Sequence, residues 1–279
     1  MSDFPRTMVG GVSMPRLICG SNWFLGYSHT SKAKDRFIKE LFDTVDKVAD
    51  LIEVFARRGC NAVMSPASEK TAMAIREVEQ RTGDEVIYIC TPAYKELDDP
   101  DTWKPAVEEA REFGATFCFP HQCVTDPRVD RVNNCLTLQL QEHLDFVRDR
   151  GMIPGLSTHM PEAITCSDAC EADVATYVQP YNAAGFLCQV ETDWVQQIIQ
   201  DAHNPVMTIK PLAAGRLLPP TGLTFVWNTI RDCDMVTIGT VCEYEAEEDI
   251  ELSLACLEQR NARRELQRTR SKHSVSPTG

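Results

Sequence analysis

No apolar run in this chain approaches the ~18–20 residues that span a bilayer, so no membrane helix is expected. The opening Met1-Ser2-Asp3-Phe4-Pro5-Arg6 has no apolar core leading to a small-residue cleavage site, so no signal peptide is expected and the compartment reads as the cytoplasm. Basic charge is scarce: 28 Lys and Arg stand against 41 Asp and Glu, a net charge of −13. A nucleic-acid partner needs a basic face to neutralise phosphates, and none is expected here. The twelve cysteines include no Cys-x-x-Cys pair, which removes a zinc ribbon or a disulfide framework. They read as reduced, structural thiols, several of them (Cys19, Cys90, Cys118) inside apolar runs where a thiol behaves as a small hydrophobe. No Gly-x-Gly-x-x-Gly follows any apolar run, which counts against an open dinucleotide-binding sheet.

The basic charge that exists is gathered at the end. Arg260, Arg263, Arg264, Arg268, Arg270 and Lys272 face one acid, Glu265, so the segment from Arg260 carries +5 and residues 1–259 carry −18. Ser274-Val275-Ser276-Pro277-Thr278-Gly279 has nothing to bury, and residues 268–279 read as a disordered basic tail behind one domain of residues 1–267.

Within that domain a short apolar run followed by an amphipathic stretch recurs eight times. The runs are Leu17-Ile18-Cys19-Gly20, Asn61-Ala62-Val63-Met64, Glu85 to Cys90, Thr116 to Phe119, Ile153 to Ser157, Thr176 to Gln179, Val206 to Ile209 and Met235 to Ile238. Ser31, Ser68 and Thr192 mark helix starts, and Gly59, Gly83, Gly114 and Gly151 mark stops. A single helix is expected from Ser31 to Gly59 with Phe37, Leu41, Val45, Val48, Ile52 and Phe55 on one face, and another from about Cys135 to Arg150. Eight such units in 279 residues predict an α/β protein, one closed (β/α)8 TIM barrel.

In such a barrel the residues just past each strand face the site of chemistry. Those positions hold Ser21 and Asn22, Ser65, Thr91, His121, His159, Tyr181 and Asn182, Lys210, then Gly239 and Thr240. Lys210 ends a buried run and meets Pro211. A lysine there polarises an oxygen, holds an anion or forms a Schiff base, whereas the bland role is an ion pair with a loop acid. His121 and His159 are the candidate acid/base groups. Asn22, Trp23, Tyr181, Asn182 and Arg216 are candidates for orienting a substrate, Trp23 because it heads an aromatic loop beside the mouth. Gly215, Gly239 and Thr240 lie where barrels cradle a phosphate and are the candidate cofactor contacts. A metal site would have to be drawn from His29, His121, His159 and Glu191, with Cys118 and Cys123. Acids near the strand ends are too few for a magnesium site, and no metal is expected.

The stretch Gly10-Gly11-Val12-Ser13-Met14-Pro15-Arg16-Leu17-Ile18-Cys19-Gly20-Ser21-Asn22-Trp23 resembles the opening hairpin and first strand of the aldo-keto reductase superfamily. Gln179-Pro180-Tyr181-Asn182, Lys210 to Arg216, and Val236 to Thr240 with Glu245-Ala246-Glu247-Glu248 are similar to its later units. The resemblance implies a short N-terminal hairpin ahead of the barrel. It also implies a catalytic set of an aspartate, a tyrosine, a lysine and a histidine at the ends of strands one to four, and only His121 falls on its place. Strand one ends in Gly20-Ser21-Asn22, no tyrosine follows Met64-Ser65-Pro66, and Lys95 lies beyond Pro92. Without the tyrosine-lysine pair the proton donor of carbonyl reduction is missing. The acids from Glu245 to Glu248 would also repel a cofactor phosphate. NAD(P) is therefore disfavoured.

The favoured expectation is a small-molecule enzyme acting on a polar carbonyl or sugar-like substrate by His and Lys chemistry. One rival is a divergent NAD(P)-dependent oxidoreductase using His121 and a substitute donor such as Tyr94. The other is a non-catalytic barrel serving binding or assembly.

Overall fold

A computed structural model describes residues 4–94, 99–264 and 266. The basic tail from 268 and Lys95 lie outside the described residues.

The chain enters through an antiparallel hairpin, Arg6–Val9 with Val12–Pro15. Its two-residue turn is Gly10-Gly11 with φ of 55° and 85°, the left-handed backbone that glycine adopts without strain. The barrel strands follow: Leu17–Gly20, Ala62–Ser65, Ile87–Cys90, Phe117–Cys118, a fifth in two pieces (Ile153–Pro154 and Leu156–Ser157), Tyr177–Pro180, Val206–Ile209 and Met235–Ile238. All neighbours pair in parallel. The sheet closes through the split strand, with Cys118 beside Pro154 on one side and Ser157 beside Val178 on the other. Gly155 separates the pieces. A Cβ there would lie 2.5 Å from Phe119 and 2.8 Å from the Thr176 carbonyl, so only glycine lets the backbone pass. The expected (β/α)8 barrel with an N-terminal hairpin is the fold observed.

Alternation along the strands divides the core in two. Leu17, Cys19, Tyr88, Cys90, Val236 and Ile238 point outward into the layer shared with the helices. Ile18, Met64, Ile87, Ile89, Phe117, Val178, Met207 and Met235 fill the barrel, and Val9 and Met14 of the hairpin close its N-terminal end. The opposite end, where the strands finish, is left for loops.

Three local expectations need correction. The first helical stretch is two helices, Lys32–Leu41 and Val45–Ala56. Thr44 starts the second by accepting from the Lys47 amide, and Phe37 and Leu41 end exposed instead of joining the core face. Cys135 is not helical: it pairs in a small hairpin, Val129–Asp130 with Cys135–Leu136, and the helix begins later, at Leu138–Asp149. Thr192 is the first helical residue of Thr192–Asp201, not its cap, and its hydroxyl donates to the Asn182 carbonyl at 3.3 Å. Elsewhere the signals hold: Ser31 and Ser68 cap their helices, and Gly83 ends Glu69–Thr82 at φ 78°. All twelve cysteines are free. No helix among the described residues is long and apolar enough to cross a membrane.

Candidate active site

The strand ends open into a cavity of about 710 Å³. Strand four leads into Pro120 and His121, which caps a one-turn helix, Gln122–Thr125. The His121 ring Nδ1 accepts from the Cys123 amide at 3.4 Å and lies 3.1 Å from Cys123 Sγ. Strand five continues into Thr158 and His159. The Asp126 carboxylate receives the Thr158 hydroxyl at 2.5 Å and the His159 backbone N–H at 3.3 Å, which fixes this strand end against the loop after strand four.

Strand seven ends at Ile209, and the chain turns sharply at Lys210, whose φ is 63°. A side chain with a Cβ in this left-handed region costs on the order of 1–3 kcal/mol, and such strain gathers at functional sites. Lys210 Nζ lies 3.4 Å from His159 Nε2. His121, His159 and Lys210 all line the same cavity.

No carboxylate partners Lys210 among the described residues. Burial pushes its ammonium down to about 8. The charge is felt by its neighbours: burial first, then Lys210, His121 and His29, holds the His159 imidazolium down to about 3, so that ring is neutral. His121 is lowered by burial and then by Lys210. A neutral His159 presents a lone pair at Nε2, which accepts from the Lys210 ammonium or amine.

The first loop supplies the facing wall. Asn22 and Trp23 line the cavity. Asn22 Nδ2 lies 3.2 Å from His29 Nε2, and Lys34 Nζ stands over the Trp23 ring at 5.6 Å. Gly215 and Gly239 also line it. Beyond the mouth the cavity runs between the loop after strand seven and the helix Glu243–Leu257, past Glu245, Glu248 and Asp249.

Other candidates fall elsewhere. Tyr181 is fully buried, donates to the Thr229 hydroxyl at 2.9 Å and packs on Phe225, because the strand's alternation turns it outward toward the helices. Asn182 is also buried and folds the following loop: its Oδ1 accepts from Phe186 N at 2.8 Å and its Nδ2 donates to Phe186 O at 3.0 Å. Neither lines the cavity. Arg216 is exposed and lies over the Phe186 ring at 4.2 Å, and Thr240 is buried beside the cavity without lining it. Glu191 is exposed at the start of the helix Thr192–Asp201 and does not line the cavity. Among the described residues, no group of three or more His, Cys, Asp or Glu side chains is arranged to hold a metal ion.

Sequence reasoning missed Asp126, Lys34 and Asp249. Asp126 and Lys34 belong to helical or turn segments, and Asp249 looks like one more acid on a solvated helix.

The fit to a nicotinamide cofactor is poor. The substitute donor Tyr94 is buried away from the cavity, its hydroxyl 2.8 Å from His143 Nδ1 in a cluster with Trp103. Burial raises its phenol far above the usual range. Tyr27 is the tyrosine that lines the cavity, with Lys39 Nζ 6.0 Å from its ring centroid, but it belongs to the loop after strand one and not to the end of strand two.

No family model and no curated protein sequence matches the chain. Its shape matches solved structures at low identity. A protein of Pseudomonas aeruginosa assigned as an aldo-keto reductase is 13% identical over 91% of this chain and 97% of its own, with a TM-score of 0.65. The aldose reductase of Giardia lamblia is 11% identical over 94% and 91%, with a TM-score of 0.55. A Rubisco from Pyrococcus horikoshii, 11% identical over 78% of this chain and 57% of its own, also reaches 0.55. Shape alone therefore does not select a reaction. What the likeness establishes is the fold, a (β/α)8 barrel of the shape that these aldo-keto reductases also have.

Proposed function

We propose that the protein is an enzyme acting on a small polar carbonyl compound through the amine of Lys210. The observation that carries this reading is a lysine without a carboxylate partner, 3.4 Å from a neutral histidine inside the cavity. A lysine lowered to about 8 has roughly a tenth of its molecules as free amine at pH 7, against under ~0.1% for an ordinary lysine near 10.4. The free amine adds to the carbonyl carbon, the carbinolamine oxygen leaves as water after protonation, and a protonated imine remains on Lys210. His121 is the proton carrier, because it lines the cavity at the end of strand four and, unlike His159, is not engaged with Lys210. His159 orients the amine. Asn22 and Trp23 contact the substrate. An open, partly polar cavity supports this reading over a barrel filled for assembly alone, and buried Tyr94 weighs against the reductase rival.

The test is reductive trapping at pH 7 with glyceraldehyde and cyanoborohydride, read by peptide mass spectrometry. Labelling should concentrate on Lys210, about a hundredfold faster than on surface lysines. Uniform labelling of all lysines would reject the reading.

A further inference from the structure

The far arm of the cavity presents a different chemistry from its mouth. Three carboxylates from the first two turns of the helix Glu243–Leu257 line it: Glu245, Glu248 and Asp249. Two are engaged. Glu245 Oε2 accepts from the Val241 amide at 3.1 Å, and Glu248 Oε1 pairs with Arg264 Nη1 at 2.7 Å. Asp249 is only 3% exposed, lines the cavity, and makes no hydrogen bond or ion pair among the described residues. A buried carboxyl without a partner costs folding free energy unless something in the cavity meets it.

We infer that this arm is a cation site, in which Asp249 receives the protonated amine end of a small ligand whose apolar body lies along Leu218, Pro219 and Val241. A hydroxyl on a ligand would fill a lone pair of Asp249 and leave its charge buried beside two other carboxylates. An ammonium supplies the hydrogen bond and also offsets that repulsion. Burial, then Glu245 and Glu248, raise the free Asp249 carboxyl to about 7, the expected state of an acid whose counter-charge arrives with the ligand. The inference does not depend on imine formation, since Asp249 and not Lys210 is the group that meets the ammonium.

The experiment titrates n-butylamine, with n-butanol as its neutral counterpart, at pH 8 and 150 mM salt. Binding is followed by the methyl NMR signals of Leu218 and Val241. The amine should bind at least tenfold tighter than the alcohol, and Asp249→Asn should erase that preference. Lys210→Met should leave it in place, and trapping on Lys210 should survive in Asp249→Asn, so the two readings fail separately. No amine binding, equal binding of the alcohol, or amine binding untouched by Asp249→Asn overturns the inference. The comparison of amine with alcohol in the unmodified protein stands even if the variant does not fold.

Discussion

Lys210 Nζ and His159 Nε2, separated by 51 positions in the chain, lie 3.4 Å apart at the ends of strands seven and five. Neither is an ion-pair partner in the usual sense. Both lose solvent: burial and then Lys210 depress the histidine, while burial depresses the lysine. A neutral ring beside an uncompensated amine is a poor structural contact, because two hydrophobic side chains would fill the same space with less cost. It suits a group that must lose its proton to act.

Replacing Lys210 by Met should abolish trapping on this residue while total labelling falls to the slow surface background. Methionine keeps the unbranched stem and removes a buried charge, so the melting temperature should hold or rise slightly. A melting temperature several degrees lower would mean that the ammonium holds the loop together. Thermal unfolding followed by circular dichroism decides this.

The pH profile has a defined sign. Attack needs the free amine, so the trapping rate should rise about tenfold per pH unit from pH 6 and level off above about 8, the value for Lys210. The same shift acts on stability. Lysine in the unfolded chain holds its proton up to about 10.4, so between about 8 and that value the unfolded state binds more protons and stability gains as pH rises. Below about 8 both states are protonated and the full penalty of the buried ammonium is present. A rate that climbs through pH 10 without levelling would show an unperturbed lysine.

Tyr94→Phe should leave trapping unchanged. The hydroxyl serves His143 at 2.8 Å in a buried aromatic cluster, so its loss should cost about 1–3 kcal/mol of stability by stranding the imidazole. Denaturant unfolding beside the trapping assay separates the two effects, and a loss of trapping without a loss of stability would restore the tyrosine as a chemical participant.

Gly239→Ala should damage the cavity wall. A Cβ there would meet Trp23 Cδ1 at 2.5 Å, so the indole must move out of the site. Saturation of trapping should require severalfold more aldehyde, and overpacking should cost about 1–3 kcal/mol. An unchanged concentration dependence would show that Trp23 does not contact the substrate.

The eight-unit barrel was legible in the sequence because its causes are local. Apolar runs of strand length, Ser31 and Ser68 as helix starts and Gly83 as a stop act through neighbours a few residues away. The break before Thr44 escaped notice because apolar periodicity continues across it. The ring of strand ends was also readable in order, so the barrel's geometry by itself brings His121, His159 and Lys210 to one mouth.

Side-chain direction at those ends was not legible. Tyr181 and Asn182 stand at a strand end like the others, yet one turns outward onto Phe225 and the other folds its own loop. A single position of register decides which face a strand residue takes, and the loop chemistry decides what lies past the end. That Lys210 lacks a carboxylate and Asp249 a cation among the described residues depends on what does not approach them from elsewhere in the chain. Sequence supplied both groups and the barrel that holds them. Only tertiary packing, by removing their solvent and giving neither an opposite charge, lowers the one and raises the other from their ordinary values.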